Sequence, residues 1–242
     1  MANDFVLLNN VDHQNLKVIT AHGAQYGDDV QYAMTFPLEF RQVQACYPIF
    51  FRKDANTGEF APIALFGFQP KENLFLDDSG WDAPYIPLMI RRHPFVIGTQ
   101  AGEGADEQAV VSLDMNSPRV SETEGEPLFL EHGGISEYLS SVTEMLETLR
   151  LADEMGKRFV NILLELDLIE SVTMQVELND GSQHELVGYY TINEEKLHAV
   201  KGEPLEMLHR EHYLESIYMI LASMTSFRIL VERKNQQSVA ED

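Results

Sequence analysis

The sequence predicts an α+β protein in which β-hairpins form a mixed or antiparallel sheet packed against a long central helix and C-terminal helices. Three observations predict it. Two apolar, aromatic runs, Tyr47–Phe51 and Phe60–Phe68, flank the turn-forming stretch Asp54–Gly58. A second alternating pair, Val172–Leu178 and His184–Ile192, flanks a turn built on Asp180–Gly181, a strong hairpin signal. Between the pairs, from Gly134 onward, apolar residues recur with the 3.6-residue period of a helix. Hairpins on either side of one helix are placed to extend a single sheet.

The elements follow in order. Leu16–Ile19 reads as a short strand and Tyr26–Asp29 as a turn. Phe36–Cys46 reads as a short helix entered through Pro37, with Leu38, Phe40 and Val43 on its apolar side. After the first hairpin, Asp77, Asp78, Ser79 and Gly80 form a loop leading to Trp81, the only tryptophan. Pro84 and Pro87 hold Ala83–Pro87 extended. Tyr85–Arg92 then reads as a short helix ended by Pro94, followed by strands at Phe95–Ile97 and Ala109–Leu113. The long helix carries Tyr138, Val142, Leu146 and Leu149, and runs on through Phe159 to Leu166 as two segments or with a kink at Gly156. Asn193 caps a helix with Glu194 and Glu195 in its first turn, where the macrodipole favours acids. Glu203–His209 and Tyr213–Lys234 are helical, and residues 235–242 are polar and frayed.

A chain of 242 residues, 44% hydrophobic, can bury a sizeable core. Residues 1–242 are expected to form one domain; if it divides, a β-rich lobe 1–127 meets a helical and hairpin lobe 128–242. The net charge of -22 is unevenly spread: residues 1–100 hold 7 basic against 11 acidic side chains, and residues 101–242 hold 10 against 28. Such a field repels phosphate backbones and anionic lipid, so nucleic-acid and membrane-surface partners are disfavoured. The single cysteine, Cys46, excludes an internal disulfide and a cysteine-based zinc cage, and its apolar neighbourhood marks it as a packing residue. The N-terminus lacks the basic and long apolar regions of a Sec signal peptide. No uninterrupted run reaches the roughly 18 apolar residues of a spanning helix. A cytoplasmic protein without a membrane span is expected.

The stretch GTQAGEGADEQ (98–108) ends without Lys-Ser/Thr and carries acids, so it reads as a solvated loop and not as a phosphate cradle. No nucleophile elbow, Rossmann fingerprint or P-loop is present, and no cofactor is expected. His209, His212 and Glu215 offer metal-type donors, yet their spacing departs from the i,i+4 metalloprotease pattern and falls at a helix junction. Asp77, Asp78 and Asp82 lack the ligand pattern of a calcium loop. No metal is expected from either group. Glu131 and His132 could act as an acid–base pair, but nothing places a nucleophile beside them. Arg91 and Arg92, the only neighbouring arginines, stand out. Pairing with carboxylates of the acidic second half is one role for them. Recognition of a carboxylate, a phosphate or a partner chain is the other.

The residues YPIFF, DANTGEFAPIALFGF, ENLFLDDSGWDAPYIP and RRHPF, in this order and spacing between Tyr47 and Phe95, resemble the SapC family of bacterial proteins. The resemblance continues through LFLEHGGISEYL (128–139), the long helix, GYYTINEEKL (188–197) and the last helix. The family is named for a locus tied to a bacterial surface layer, and the name carries no catalytic residues to transfer. The resemblance therefore implies a non-catalytic accessory or binding protein, linked to surface-layer biogenesis or peptide handling, with an unknown protein or peptide partner. Its expected recognition residues are Trp81, Tyr85, Arg91 and Arg92. The rival expectation is an enzyme or enzyme partner with a site assembled around Arg91, Arg92, Glu131 and His132, with His209 as a further member.

Overall fold

The computed structural model describes residues 4–101 and 107–241. The fold is α+β with antiparallel sheets, and it divides into two compact units, each assembled from two pieces of chain: residues 1–28 with 88–151, and residues 29–87 with 152–242. Of the stretch 98–108 expected as a solvated loop, 98–101 and 107–108 belong instead to paired strands, and 102–106 lie outside the described residues.

In the first unit, strands Phe5–Leu7, Glu107–Asp114 and Phe95–Ala101 form an antiparallel sheet with Glu107–Asp114 in the middle. A smaller sheet places Lys17–Val18 between Val120–Ser121 and Glu126–Pro127. Gly125 is needed there: its φ is +100°, and a Cβ would come within 2.3 Å of the Val18 carbonyl oxygen. One core holds both sheets to the first turns of the long helix, with Val18, Phe95, Leu113, Leu128, Leu139 and Leu146 among its members. The helix itself spans Glu137–Glu165, three residues later than the Gly134 entry expected, because Ser136 serves as its cap by accepting from the Leu139 N–H at 3.0 Å.

In the second unit, five antiparallel strands run in the order Ile169–Glu177, Gln183–Ile192, Ile49–Lys53, Phe60–Leu65, Tyr32–Met34. The two expected hairpins do join in one sheet, through Tyr189 opposite Arg52 and Tyr190 opposite Phe51. Their turns work as the sequence predicts. The Asp54 carboxylate accepts the N–H groups of Asn56 and Thr57 at 2.8 Å each, and the Asp180 carboxylate accepts that of Ser182 at 2.8 Å. The long helix continues unbroken through Gly156, which is buried beside Phe36 and marks no break between helical segments. Phe159 meets the rings of Phe40 and Tyr213, and Phe50 meets Tyr189 and Phe227. Asn193 caps its helix as expected, accepting from the Lys196 N–H at 2.8 Å.

Three expectations change. The short strands Phe5–Leu7 and Tyr32–Met34 have too little alternation to be read from sequence, and both are sheet edges. The helix expected over Tyr213–Lys234 is two, Tyr213–Ser223 and Ser226–Glu241, and the second runs on through residues 235–241. The stretch Tyr213–Gln237 is long and apolar enough to cross a membrane by length and composition, with mean hydropathy 1.4 over its richest window. Counting uninterrupted apolar runs overlooks it, because Ser216, Ser223 and Thr225 are interspersed. Here Ile217, Ile220 and Leu230 of that stretch are fully buried in the core, and Ser223 Oγ accepts the Ile49 N–H at 2.8 Å.

Candidate functional site

The segment around Trp81 is filled and internally bonded. Asp77 turns the chain by accepting the Ser79 N–H at 2.7 Å, and the following strand Gly80–Trp81 pairs back on Leu76–Asp77. This sets the indole edge-on to Phe66, with ring centroids 5.2 Å apart, and within 6.5 Å of Tyr47. The indole N–H donates to the Tyr47 hydroxyl at 2.7 Å, and that hydroxyl donates to the Tyr85 carbonyl at 2.5 Å. The Tyr85 hydroxyl in turn donates to Glu39 at 2.7 Å, and Thr35 donates to the other oxygen of that carboxylate at 2.9 Å. Glu39 and Thr35 are fully buried. Burial drives the Tyr47 phenol well above its usual range, so it stays a neutral donor. Trp81 and Tyr85, both expected as recognition residues, are joined here in a network that ties the first hairpin to the chain beyond it. Cys46, beside Tyr47, is buried, and burial raises its thiol, with a lesser lowering by a hydrogen bond from the Tyr85 backbone.

The two arginines diverge because successive residues on a helical turn point about 100° apart. The turn is Leu88–Arg91, closed by the Arg92 N–H to the Leu88 carbonyl at 2.9 Å. Arg92 folds back onto its own loop and donates from Nη1 to the Phe95 carbonyl at 3.0 Å, while its Nε is buried without a partner. Desolvation lowers its pKa. Arg91 remains exposed and has neither a hydrogen bond nor an ion pair among the described residues. The expected pairing of Arg91 or Arg92 with carboxylates of the second half does not occur among the described residues, since one arginine is spent on a backbone carbonyl and the other faces a pocket.

A different arginine makes the buried ion pair. Arg119, 2% exposed, grips Asp28 bidentately from Nη2 at 2.8 and 2.7 Å and gives Nη1 to the carbonyls of Ile19 and Ala21 at 3.1 and 2.6 Å. Tyr26 lies under the guanidinium at 5.3 Å. Asp28, also 2% exposed, accepts the Gly23 N–H at 2.9 Å and faces His22 Nδ1 at 3.0 Å. Burial by itself would raise the Asp28 carboxyl. The bonds from His22 and Gly23 and the charge of Arg119 outweigh it and hold the group below its usual value.

Arg91 and Arg119 both line a pocket of about 340 Å³ in this unit, together with His22, His93, Tyr138 and Ser141, and its apolar wall is Ile90, Val142 and Met145. No carboxylate lines it, and Asp28 stands behind Arg119. Desolvation, then the positive charges of Arg92 and Arg119, push the His93 imidazole down towards about 4. His93 keeps an exposed surface, which offsets part of the desolvation, and on either count the ring is neutral at pH 7. Burial pushes the Tyr138 phenol up to about 12, so it too is a neutral donor.

The remaining candidates do not gather here. Glu131 and His132 sit exposed in the turn before the long helix and do not line the pocket. His209 ends the helix Glu203–Arg210 in the other unit, and His212 occupies a left-handed position (φ 60°) before the next helix. Glu215 is bonded to Arg41. Asp82 accepts from Arg233 at 2.9 Å. Among the described residues no group of three metal-type donors converges. Sequence reasoning missed Arg119, His22 and His93. One signal was available for Arg119: it is the only cation among eleven acids between Arg92 and Arg150.

The fold and the pocket together define an α+β protein of two compact units, one of which carries a cation-lined pocket. The chain belongs to the SapC family, whose model matches residues 8–230. No curated protein and no solved structure matches it.

Proposed function

We propose that this SapC-family chain is a non-catalytic accessory protein that works by binding, and that the group it recognises is an anion held at the Arg91 pocket. One observation carries the reading. In a chain with 39 acids against 17 bases, this pocket is lined by two arginines and two histidines and by no acid, and one of those arginines is unpaired among the described residues. Arg41, Arg150, Arg210 and Arg228 each find a carboxylate, whereas Arg91, like Arg158, is exposed without one among the described residues, and Arg91 is the one of those two that lines this pocket. The link to surface-layer biogenesis or peptide handling carried by the family name fits a binding role of this kind.

The His22–Asp28 contact beside Tyr138 and Ser141 is the observation that favours an enzyme. Two features weigh against it. Asp28 is simultaneously committed to Arg119 and to the Gly23 N–H, which makes it a structural hub. Ser141 donates its hydroxyl to the Tyr138 carbonyl at 2.8 Å, the back-bonding of an ordinary helical serine. Calorimetric titration of the protein with simple anions tests the proposal. Saturable binding that is lost in Arg91→Ala, with the melting temperature unchanged, is the expected result. Equal binding by the variant overturns the assignment to Arg91.

A further inference from the structure

Resting on that reading, we infer that the ligand of the Arg91 pocket is a monocarboxylate carrying a short apolar group, and not a phosphate or a polyanion. Of the two arginines in the lining, Arg119 has its charge matched by Asp28, to both of whose oxygens Nη2 donates, and Arg91 is the one without a carboxylate among the described residues. A single guanidinium fork matches a single carboxylate, two N–H groups to two oxygens. A phosphate dianion calls for a second cation or a nest of backbone N–H groups, and such nests are built on closely approaching glycines. No glycine lines this pocket. With His93 neutral at pH 7, the imidazole adds a hydrogen-bonding edge and no charge.

The surroundings sharpen the choice. The chain carries a net charge of -22, so an incoming anion meets repulsion in proportion to its own charge, and a monoanion meets the least. The other wall of the pocket is apolar: Ile90 and Val142 are buried and fixed, and Met145 is the adaptable member. A ligand with only a charged head would leave that wall wet, whereas a few carbons behind the carboxylate would cover it. The volume, about 340 Å³, sits at the small end of ligand cavities, which limits the apolar part to a short chain or one ring. The lining also offers the hydroxyls of Tyr138 and Thr20, ring nitrogens of His22 and His93, and Arg119 Nε, a buried donor without a partner among the described residues. A free organic acid and the C-terminal carboxylate of a peptide share this chemistry.

The test uses the whole chain. Acetate, butyrate, hexanoate, benzoate, inorganic phosphate and a short apolar peptide with a free or an amidated C-terminus are titrated calorimetrically at pH 7. The expected order is a rise in affinity from acetate to hexanoate, with phosphate at least tenfold weaker than hexanoate. Arg91→Ala should lower the carboxylate affinity tenfold or more, and Arg91→Lys should recover only part of it, because the bidentate fork is lost. Met145→Gln should flatten the rise with chain length. Binding of the free-terminus peptide without the amide, and without the free acids, assigns the carboxylate to a peptide end and supports the inference in that form. Phosphate binding as tightly as hexanoate, or affinity independent of chain length, overturns the monocarboxylate while the anion-binding reading stands. Absence of binding by every probe overturns both.

Discussion

At the scale of single residues, Asp28 and Arg119 decide most about the first unit. Both are 2% exposed, and 91 positions separate them in sequence, so the pair fastens the N-terminal segment to the chain after the strand Glu107–Asp114. Asp28→Asn leaves the guanidinium buried and uncompensated, and should cost about 3–5 kcal/mol. Thermal or urea unfolding measures it, and an unchanged midpoint would show the pair to be dispensable. The pair also has a pH signature. The groups facing the carboxylate are Arg119, His22 and the Gly23 N–H, and together they lower its folded pKa. A lowered folded pKa contributes stability that is fully present above the unfolded value, about 3.9, and is lost as pH falls through the folded value. The native protein should therefore lose stability more steeply than Asp28→Asn below about pH 4, and parallel acid limbs in the two proteins would contradict that. Little of this pair was legible in advance, because an Arg in a turn after Pro118 and an Asp after Gly27 carry no pattern that links them. Arg91 was legible as unusual, and its lack of a carboxylate among the described residues was not, since pairing depends on which way a guanidinium leaves its helical turn.

At the scale of elements, legibility followed local chemistry. Both hairpins and the Asn193 cap could be read because one side chain satisfies nearby backbone groups in each: Asp54, Asp180 and Asn193. The edge strands Phe5–Leu7 and Tyr32–Met34 could not be read, because three residues pairing with a partner about 30 to 100 positions away leave no local signature. Trp81 is an intermediate case. Its loop announced itself through Asp77–Gly80, yet the bonds through Tyr47 and Tyr85 to Glu39 came only with the fold. Trp81→Ala removes the ring that packs on Phe66 together with the donor to Tyr47, and should cost about 3 kcal/mol, the lower end of the range for buried rings because Trp81 is only half-buried. Trp81→Phe keeps an aromatic ring and loses the N–H, so it should cost about 1 kcal/mol. Denaturant midpoints of the two variants check the ordering, and a Phe variant as unstable as the Ala variant would make the hydrogen bond, not the packing, the dominant contribution.

At the scale of the whole molecule, the partition into two units left no trace a reader of the sequence could follow. The crossing near Pro87 carries Ser79, Gly80, Pro84 and Pro87 and that near Asp28 carries Gly23 and Gly27, which read as local turns, and the third boundary, at Leu151, falls inside a continuous helix. Charge, by contrast, was fully legible: 39 acids against 17 bases, with the excess concentrated after residue 100. Several ion pairs, such as Lys157–Asp153 and Arg228–Glu232, lie at the surface, where each contributes little and is screened by salt. The dominant long-range electrostatic effect is then self-repulsion, which salt relieves. Raising ionic strength from about 0.02 M to about 0.5 M, which takes the screening length from about 20 Å to a few ångströms, should stabilise the fold by about 1 kcal/mol. For a chain of this size that corresponds to a rise of about 2–4 °C in Tm. The buried Asp28–Arg119 pair is shielded from bulk ions, so Asp28→Asn should show the same salt increment as the native protein, the two effects adding independently. A Tm that falls with salt would mean that surface ion pairs outweigh the repulsion, and a salt increment that disappears in Asp28→Asn would place the source of the effect at the buried pair instead of across the acidic surface.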